Sequence, residues 1–269
     1  MVSAAPIAPD LRFDAITLGE VSGLACTPPG ARSDQCLLYL HGGAFVIGSA
    51  SDYRSLYGEL GRAAGVRVVA PDYRLAPEHP FPAALDDALS VYRSLLAGGL
   101  PASSIALAGD SAGGGLVTSL LLAAGAAGLP MPAAAVLISP WVDLACTGAT
   151  MRGKADADPA LTRAGLLANA ALYLGTRSLE TPLASPLHAE LAHLTRLPPL
   201  LVQVGTAEIL LDDALRLAAR AAEADVRVSL SVWPEMPHVW HFFGFMLEEG
   251  RQAVTEAGDF LRARLADWR

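Results

Sequence analysis

Ser111 stands in Gly109-Asp110-Ser111-Ala112-Gly113, a G-x-S-x-G pattern with the apolar run 105–108 before it and the apolar run 116–123 after it. Strand, tight turn, helix is the setting in which this pentapeptide lifts a serine hydroxyl above a sheet as a nucleophile. Glycines flanking the serine suit a turn whose backbone lies so close to its neighbours that a Cβ would clash. A serine hydroxyl is a poor nucleophile at neutral pH. It needs a base, and the base needs an orienting acid.

On a parallel sheet these partners come from the carboxyl ends of later strands, in the order serine, acid, histidine. Four histidines follow Ser111: His188, His193, His238 and His241. The first two precede the penultimate expected strand and fail the order. His238 is the candidate base because it comes first after the last strand. His241, beside Phe242 and Phe243, reads as a partly buried residue lining the pocket. Eleven carboxylates lie between Ser111 and His238. Position favours Glu208, directly after the strand 200–204. Asp212, one turn later, is the alternative, and Asp143, after the preceding strand, is the outsider. Asp212 and Asp213 also read as charges favoured by the exposed amides and dipole at the start of the next helix.

Acyl transfer also needs donors for a developing oxyanion. His41-Gly42-Gly43-Ala44-Phe45 follows the apolar run 36–40, and glycines let backbone N–H groups point into a site without obstruction. The expected donors are the amides of Gly43, Ala44 and Ala112, with Gly42 as a further candidate. Asp110 should point away from the cleft into a structural hydrogen bond, and Glu78 is a candidate brace for the loop at His41. The histidines and cysteines lack metal-ligand spacing, so no metal site is expected. The glycines around Ser111 serve the turn and form no dinucleotide fingerprint.

These residues need a scaffold that brings loop ends together, and the apolar patterning supplies one. Short apolar runs at 36–40, 66–70, 105–108, 133–139, 200–204 and 226–232 alternate with helical patterns at 51–64, 83–97, 116–123, 210–223 and 248–265. That alternation predicts an α/β fold with a mainly parallel sheet. Segments 11–18 and 21–26 read as an antiparallel pair at a sheet edge. Residues 147–186 are more polar, contain no convincing strand and hold one helical segment, 162–174, as an insertion over the end of the sheet would.

Composition narrows the function classes. The chain has 269 residues, 52% hydrophobic and 17% charged, enough for one core. A net charge of −8 argues against a nucleic-acid partner. Three cysteines are too few for a disulfide framework, and their odd number fits a reducing, cytoplasmic setting. The first ten residues lack the basic start and apolar core of a signal peptide. No charged residue occurs between Asp110 and Asp143, but glycines and prolines interrupt the run before a membrane span accumulates.

Taken in order, HGGAF (41–45), DYRLAPEHPFPA (72–83), GDSAGG (109–114), SPWVDL (139–144), ASPL (184–187), EILLDDA (208–214) and MPHVW (236–240) resemble the bacterial hormone-sensitive-lipase-like esterases, a branch of the α/β-hydrolases. The resemblance spans about residues 36–243. It implies an α/β-hydrolase fold with a small helical cap, and hydrolysis of short- to medium-chain acyl esters through an acyl-enzyme, without a cofactor. Ser111 and His238 fall on the family's nucleophile and base. The family's acid stands in D-P-L-x-D, which aligns with Glu208 to Asp212 and puts Glu in place of Asp. Ala44 replaces the third glycine of the usual HGGG, and its methyl should disfavour bulky groups.

Residues 1–269 are expected to form one domain with cap elements at about 1–10 and 147–186. The N-terminal part of the cap looks cut short, which implies an open pocket. Phe45, Trp141, Trp240 and Phe242 are candidates to line that pocket, and core packing explains each equally well. The expected partner is a small-molecule ester, and a second copy could pair through the last strand or the C-terminal helix. Two other readings stand beside this one: a related hydrolase of a lactone, acetylated sugar or amide, and a small-molecule receptor on the same fold.

Overall fold

Strands too apolar to alternate must be covered on both faces, and the computed structural model, which describes residues 5–266, is built on that requirement. β1 (Arg12–Leu18), β2 (Val21–Thr27), β3 (Arg32–Leu40), β4 (Val66–Pro71), β5 (Ile105–Asp110), β6 (Ala134–Ile138), β7 (Leu200–Gly205) and β8 (Val228–Trp233) form one eight-stranded sheet. Its order is β1-β2-β4-β3-β5-β6-β7-β8. β1 and β2 are an antiparallel edge pair, β2 is antiparallel to β4, and the remaining neighbours are parallel. β5, β6 and β7 are buried along their whole length.

Helices supply the cover. α1 (Arg54–Ala64) and α8 (Glu248–Ala266) share one core layer, and α2 (Ala83–Ala97), α3 (Ala112–Ala126) and α7 (Leu211–Glu223) share the other. The pleat of β3 divides its side chains between them. Leu38 and Leu40 enter the layer of α2 and α3, while Leu37 and Tyr39 enter that of α1. The charge-free stretch resolves into α3, a turn and β6. α3 is buried nearly all round, which is why it lacks a polar face. Among the described residues, no helix is long and apolar enough to cross a membrane.

Several boundaries differ from the sequence expectation, among them those of β3 and β8. β3 starts at Arg32 rather than 36, with a shift in its register on β4 between Arg32 and Cys36, so polar residues extend a strand whose buried part alone was legible. β8 starts at Val228 and reaches Trp233. Because β3 and β5 to β8 run in parallel, the loops at their carboxyl ends gather at one edge, where such sheets bind ligands. Residues 147–186 carry α4 (Thr150–Gly153) and α5 (Arg163–Leu174), and α6 (Leu191–Leu194) follows. Of the expected element at 1–10, residues 1–4 lie outside the described residues. The rest runs along α1, where Ser55 Oγ donates to the Pro6 carbonyl (3.0 Å) and Arg62 pairs with Asp10.

Candidate active site

Between β5 and α3 the chain turns within one residue. Ser111 takes φ 53° and ψ −124°, a conformation that costs a residue with a Cβ on the order of 1–3 kcal/mol and persists only where the surroundings over-determine it. Main-chain bonds on both sides do so. The Ser111 N–H donates to the Ile138 carbonyl (2.8 Å) and the Trp141 N–H to the Ser111 carbonyl (2.9 Å). The helix start is pressed against β3. A Cβ on Gly113 would lie 2.0 Å from the Leu40 carbonyl oxygen, so only glycine fits.

That close approach sets the His41–Phe45 loop beside the serine. Gly43 (φ 104°), Ala44 (φ 54°) and Phe45 (φ 65°) turn successive peptides in the left-handed region. The amides of Gly43, Ala44 and Ala112 have no acceptor among the described residues. The Gly42 amide is different: it donates to Asp110 Oδ1 (3.0 Å), which removes it from the expected set of oxyanion donors. Asp110 also accepts from the Tyr39 hydroxyl (2.5 Å), so the residue before the serine anchors the loop opposite. Burial pushes the Asp110 carboxyl up to about 6, against the lowering effect of Tyr39, the His238 charge and Gly42. Glu78, the expected brace, is exposed. His41 is held instead by stacking on Tyr73 (4.2 Å between centroids), whose hydroxyl donates to the His41 carbonyl.

The acid and base meet across the next two loops. His238 Nδ1 lies 2.7 Å from Glu208 Oε2, and the Glu208 side chain is wholly buried. Glu208 Oε1 accepts from the Gly205 N–H and the Ser139 hydroxyl, each at 2.8 Å. Ser139 Oγ in turn accepts from the Val239 N–H (3.2 Å), which ties acid and base loops through one hydroxyl. Burial alone would lower the His238 pKa. The hydrogen bond and charge of Glu208, then the charges of Asp158 and Asp110, outweigh it and hold the imidazole above the ordinary histidine range. With Nδ1 occupied by the carboxylate, Nε2 is the nitrogen open to other chemistry.

The alternatives have other places. Asp212 accepts from the Ala149 N–H (2.9 Å). Asp143 is buried among Thr147, His188 and Arg216; burial would raise its pKa, but their hydrogen bonds prevail and hold it near 2. Asp213 is not a solvated helix-start charge. It is fully buried, with Oδ2 accepting from the Val142 and Asp143 amides and Oδ1 unpartnered. Burial pushes its carboxyl up to about 8. His241 is fully rather than partly buried, with Nε2 2.9 Å from Gln203 Oε1, and with Phe242 it borders a cavity among residues 6–9, α1 and α8.

Of the expected lining residues, Phe45, Trp141 and Trp240 are core. Phe45 stacks flat on Tyr173 of α5 (3.8 Å, 5°) and lies 6.1 Å from Trp141, while Trp240 packs between Trp233 and His241. Phe242 is half-buried, edge-on to Tyr53. Sequence reasoning missed Ser139 and Asp158. The position of Ser139 at the end of β6 was a signal for the first; the second had none, because its contact with the Glu208 loop is tertiary. Together, a strained hydroxyl, a carboxylate-held imidazole and unpaired amides form the parts needed for acyl transfer.

Known proteins place this geometry. The sequence pattern of the alpha/beta hydrolase fold matches residues 37–242. An acetyl-hydrolase of Streptomyces hygroscopicus is 48% identical over 250 residues, 93% of this chain and 82% of that protein. A crystal structure of an esterase from the bacterial hormone-sensitive lipase family superposes with a TM-score of 0.95 at 47% identity, covering 98% of this chain and 88% of that one. Crystalline EstE5 gives 0.94 at 43%, covering 97% and 87%.

Proposed function

The chain belongs to the α/β-hydrolase fold family, in its bacterial hormone-sensitive-lipase-like branch, and from that premise we propose that it is a serine carboxylesterase of short- to medium-chain acyl esters. The observation that carries this reading is the Glu208–His238 pair, 2.7 Å apart on the loops after β7 and β8, at the sheet edge where the strained Ser111 follows β5. Ser111 Oγ attacks the ester carbonyl carbon while its proton passes to His238 Nε2. The carbonyl oxygen, now an oxyanion, accepts from the amides of Gly43, Ala44 and Ala112; one such donor is worth about 2.7–4 kcal/mol. Collapse breaks the bond to the alkoxide, which takes the proton from His238 as it leaves. Water, deprotonated by the same imidazole, then attacks the acyl-enzyme and releases the acid and the free serine. Glu208 holds the tautomer and stabilises the imidazolium.

Residues 147–186 act as the cap, with Tyr173 closing over Phe45 beside the oxyanion loop. The Ala44 methyl favours a small acyl group, which accords with a relative named for acetyl hydrolysis. Three buried free cysteines accord with a cytoplasmic setting. The open edge of β8, with Leu230 and Val232 exposed, is where a second copy would add; light scattering after gel filtration reads that directly. The substrate could instead be a lactone, acetylated sugar or amide.

A burst of p-nitrophenol from p-nitrophenyl acetate is expected from the parent, with turnover lost by about 10⁴-fold or more in Ser111→Ala. Undiminished turnover in that variant would overturn the mechanism. Labelling by a fluorophosphonate, abolished in the same variant, separates an esterase from a receptor that only binds.

A further inference from the structure

The loop carrying Glu208 is short, and one neighbour of Glu208 is gripped from outside the sheet. Ile209 gives its N–H to Asp158 Oδ2 (2.8 Å), and its carbonyl accepts from Thr150 Oγ1 (2.7 Å). Both partners belong to the 147–186 insertion. Thr150 Oγ1 also accepts from the Asp212 N–H (3.0 Å). Asp158 is itself locked, since its Oδ1 accepts from the Ala160 and Leu161 amides (2.9 and 2.8 Å). A carboxylate clamped by three amides, two from its own turn and one from the acid loop, is a bridge with a fixed geometry.

Resting on the serine-esterase reading, we propose that Asp158 is a positioning residue of the acid–base pair: it fixes the peptide next to Glu208 and sets a second negative charge toward His238. The charged and titratable groups facing His238 are Glu208, Asp158, Asp110 and His241. Burial pushes His241 down to about 3, so it stays neutral, and the other three are carboxyl groups. Asp158 is the member of that set that arrives with the insertion. The insertion therefore does more than cover the site: it holds one end of the catalytic machinery.

The sign of the effect follows. His238 must be neutral to accept the serine proton, and nearby negative charge favours its protonated form. Removing the charge of Asp158 lowers the pH at which the imidazole becomes neutral. Loosening the Ile209 peptide lowers kcat, because the pair no longer sits in the productive geometry. A purely structural role would change stability without moving the titration.

The test uses full-length protein with ¹³C-labelled histidine, the His238 signal being assigned by its loss in His238→Gln. In Asp158→Asn the His238 midpoint should fall by roughly a few tenths of a pH unit. On p-nitrophenyl acetate, kcat should fall about tenfold with KM little changed. Asp158→Glu, which keeps the charge but displaces it, should keep the midpoint near that of the parent and lower kcat. An unmoved midpoint in Asp158→Asn overturns the proposal. So does kcat within about twofold of the parent in Asp158→Glu, which decides the matter if the asparagine variant does not fold. The titration needs no turnover. If the parent hydrolyses no ester while the midpoint still falls in Asp158→Asn, the esterase reading is refuted and the positioning role stands.

Discussion

The two halves of the site share tight main-chain contacts and differ in the side chains that tie them. On the Ser111 side, β5, β3 and the start of α3 approach so closely that the Gly113 position admits no methyl, and the Asp110 carboxylate and the Tyr73 hydroxyl anchor the His41–Phe45 loop. On the acid–base side main chain also packs on main chain, a Cβ on Gly205 meeting the Met236 carbonyl oxygen at 1.9 Å, but Glu208 and His238 themselves are tied through the Ser139 hydroxyl and by the insertion's hold on Ile209. Backbone contact is short-ranged and tolerates no added atom. A hydrogen-bonded bridge tolerates atoms but loses its function when one donor is removed. The glycine contacts should therefore fail through folding, and the Ser139 and Ile209 bridges through rate.

Gly113→Ala is the harshest probe of that contrast. The new Cβ meets the Leu40 and His41 carbonyls, so little folded protein is expected, and any that folds should melt roughly 10 °C lower by scanning calorimetry. Glu208→Gln keeps the volume but can present its amide to Nδ1 and favour the wrong tautomer. There kcat should fall about 10³-fold with the melting temperature nearly unchanged. The acid limb of the pH profile should also move to lower pH, since the carboxylate that raises the His238 pKa is gone. A milder break is Ser139→Ala, which leaves Glu208 Oε1 with Gly205 alone and strips Val239 of its acceptor. A loss of about 1–2 kcal/mol in transition-state stabilisation, near tenfold in kcat, is expected from steady-state rates. If Ser139→Ala instead destabilises the fold as severely as Gly113→Ala, the distinction between backbone contact and hydrogen-bonded bridge collapses.

The smallest effect concerns two neighbouring buried carboxylates. Asp143, ringed by donors, is held near 2, whereas burial pushes Asp213 up to about 8. A group whose folded pKa lies above its unfolded value of about 4 gives its full stabilisation below pH 4 and loses it as pH rises through about 8. The parent should therefore lose melting temperature between pH 5 and 9 relative to Asp213→Asn, by about a few degrees in thermal scans. Parallel curves for the two proteins would show that Asp213 does not titrate in this window.

How much of this was readable beforehand divides along the same line. The Ser111 turn, the His41–Phe45 loop and the strands before them were legible because each is local: apolar runs, glycine spacing and chain order lie in contiguous residues. His238 and Glu208 were reachable from order and position. Asp213 was misread because a charge at a helix start is ordinarily solvated, and nothing local shows that α7 begins under the 141–143 turn. The aromatic residues were undecidable for a similar reason, since Phe45 becomes core only when Tyr173 of the insertion lies flat against it.

By itself, then, the chain order of hydrophobic runs and glycine turns determined an α/β fold with a mainly parallel sheet, a serine at an elbow and the loops from which its partners come, and the resemblance of its motifs implied the α/β-hydrolase fold. Tertiary structure alone decided that Glu208 rather than Asp212 meets His238, that the Gly42 amide goes to Asp110, and that Ser139 and Asp158 hold the acid and base. Those outcomes depend on hydrogen bonds a few ångströms long between residues 30 to 100 positions apart. Periodicity can say which face of an element is buried. It carries no information on which of two nearby carboxylates ends within reach of one imidazole nitrogen.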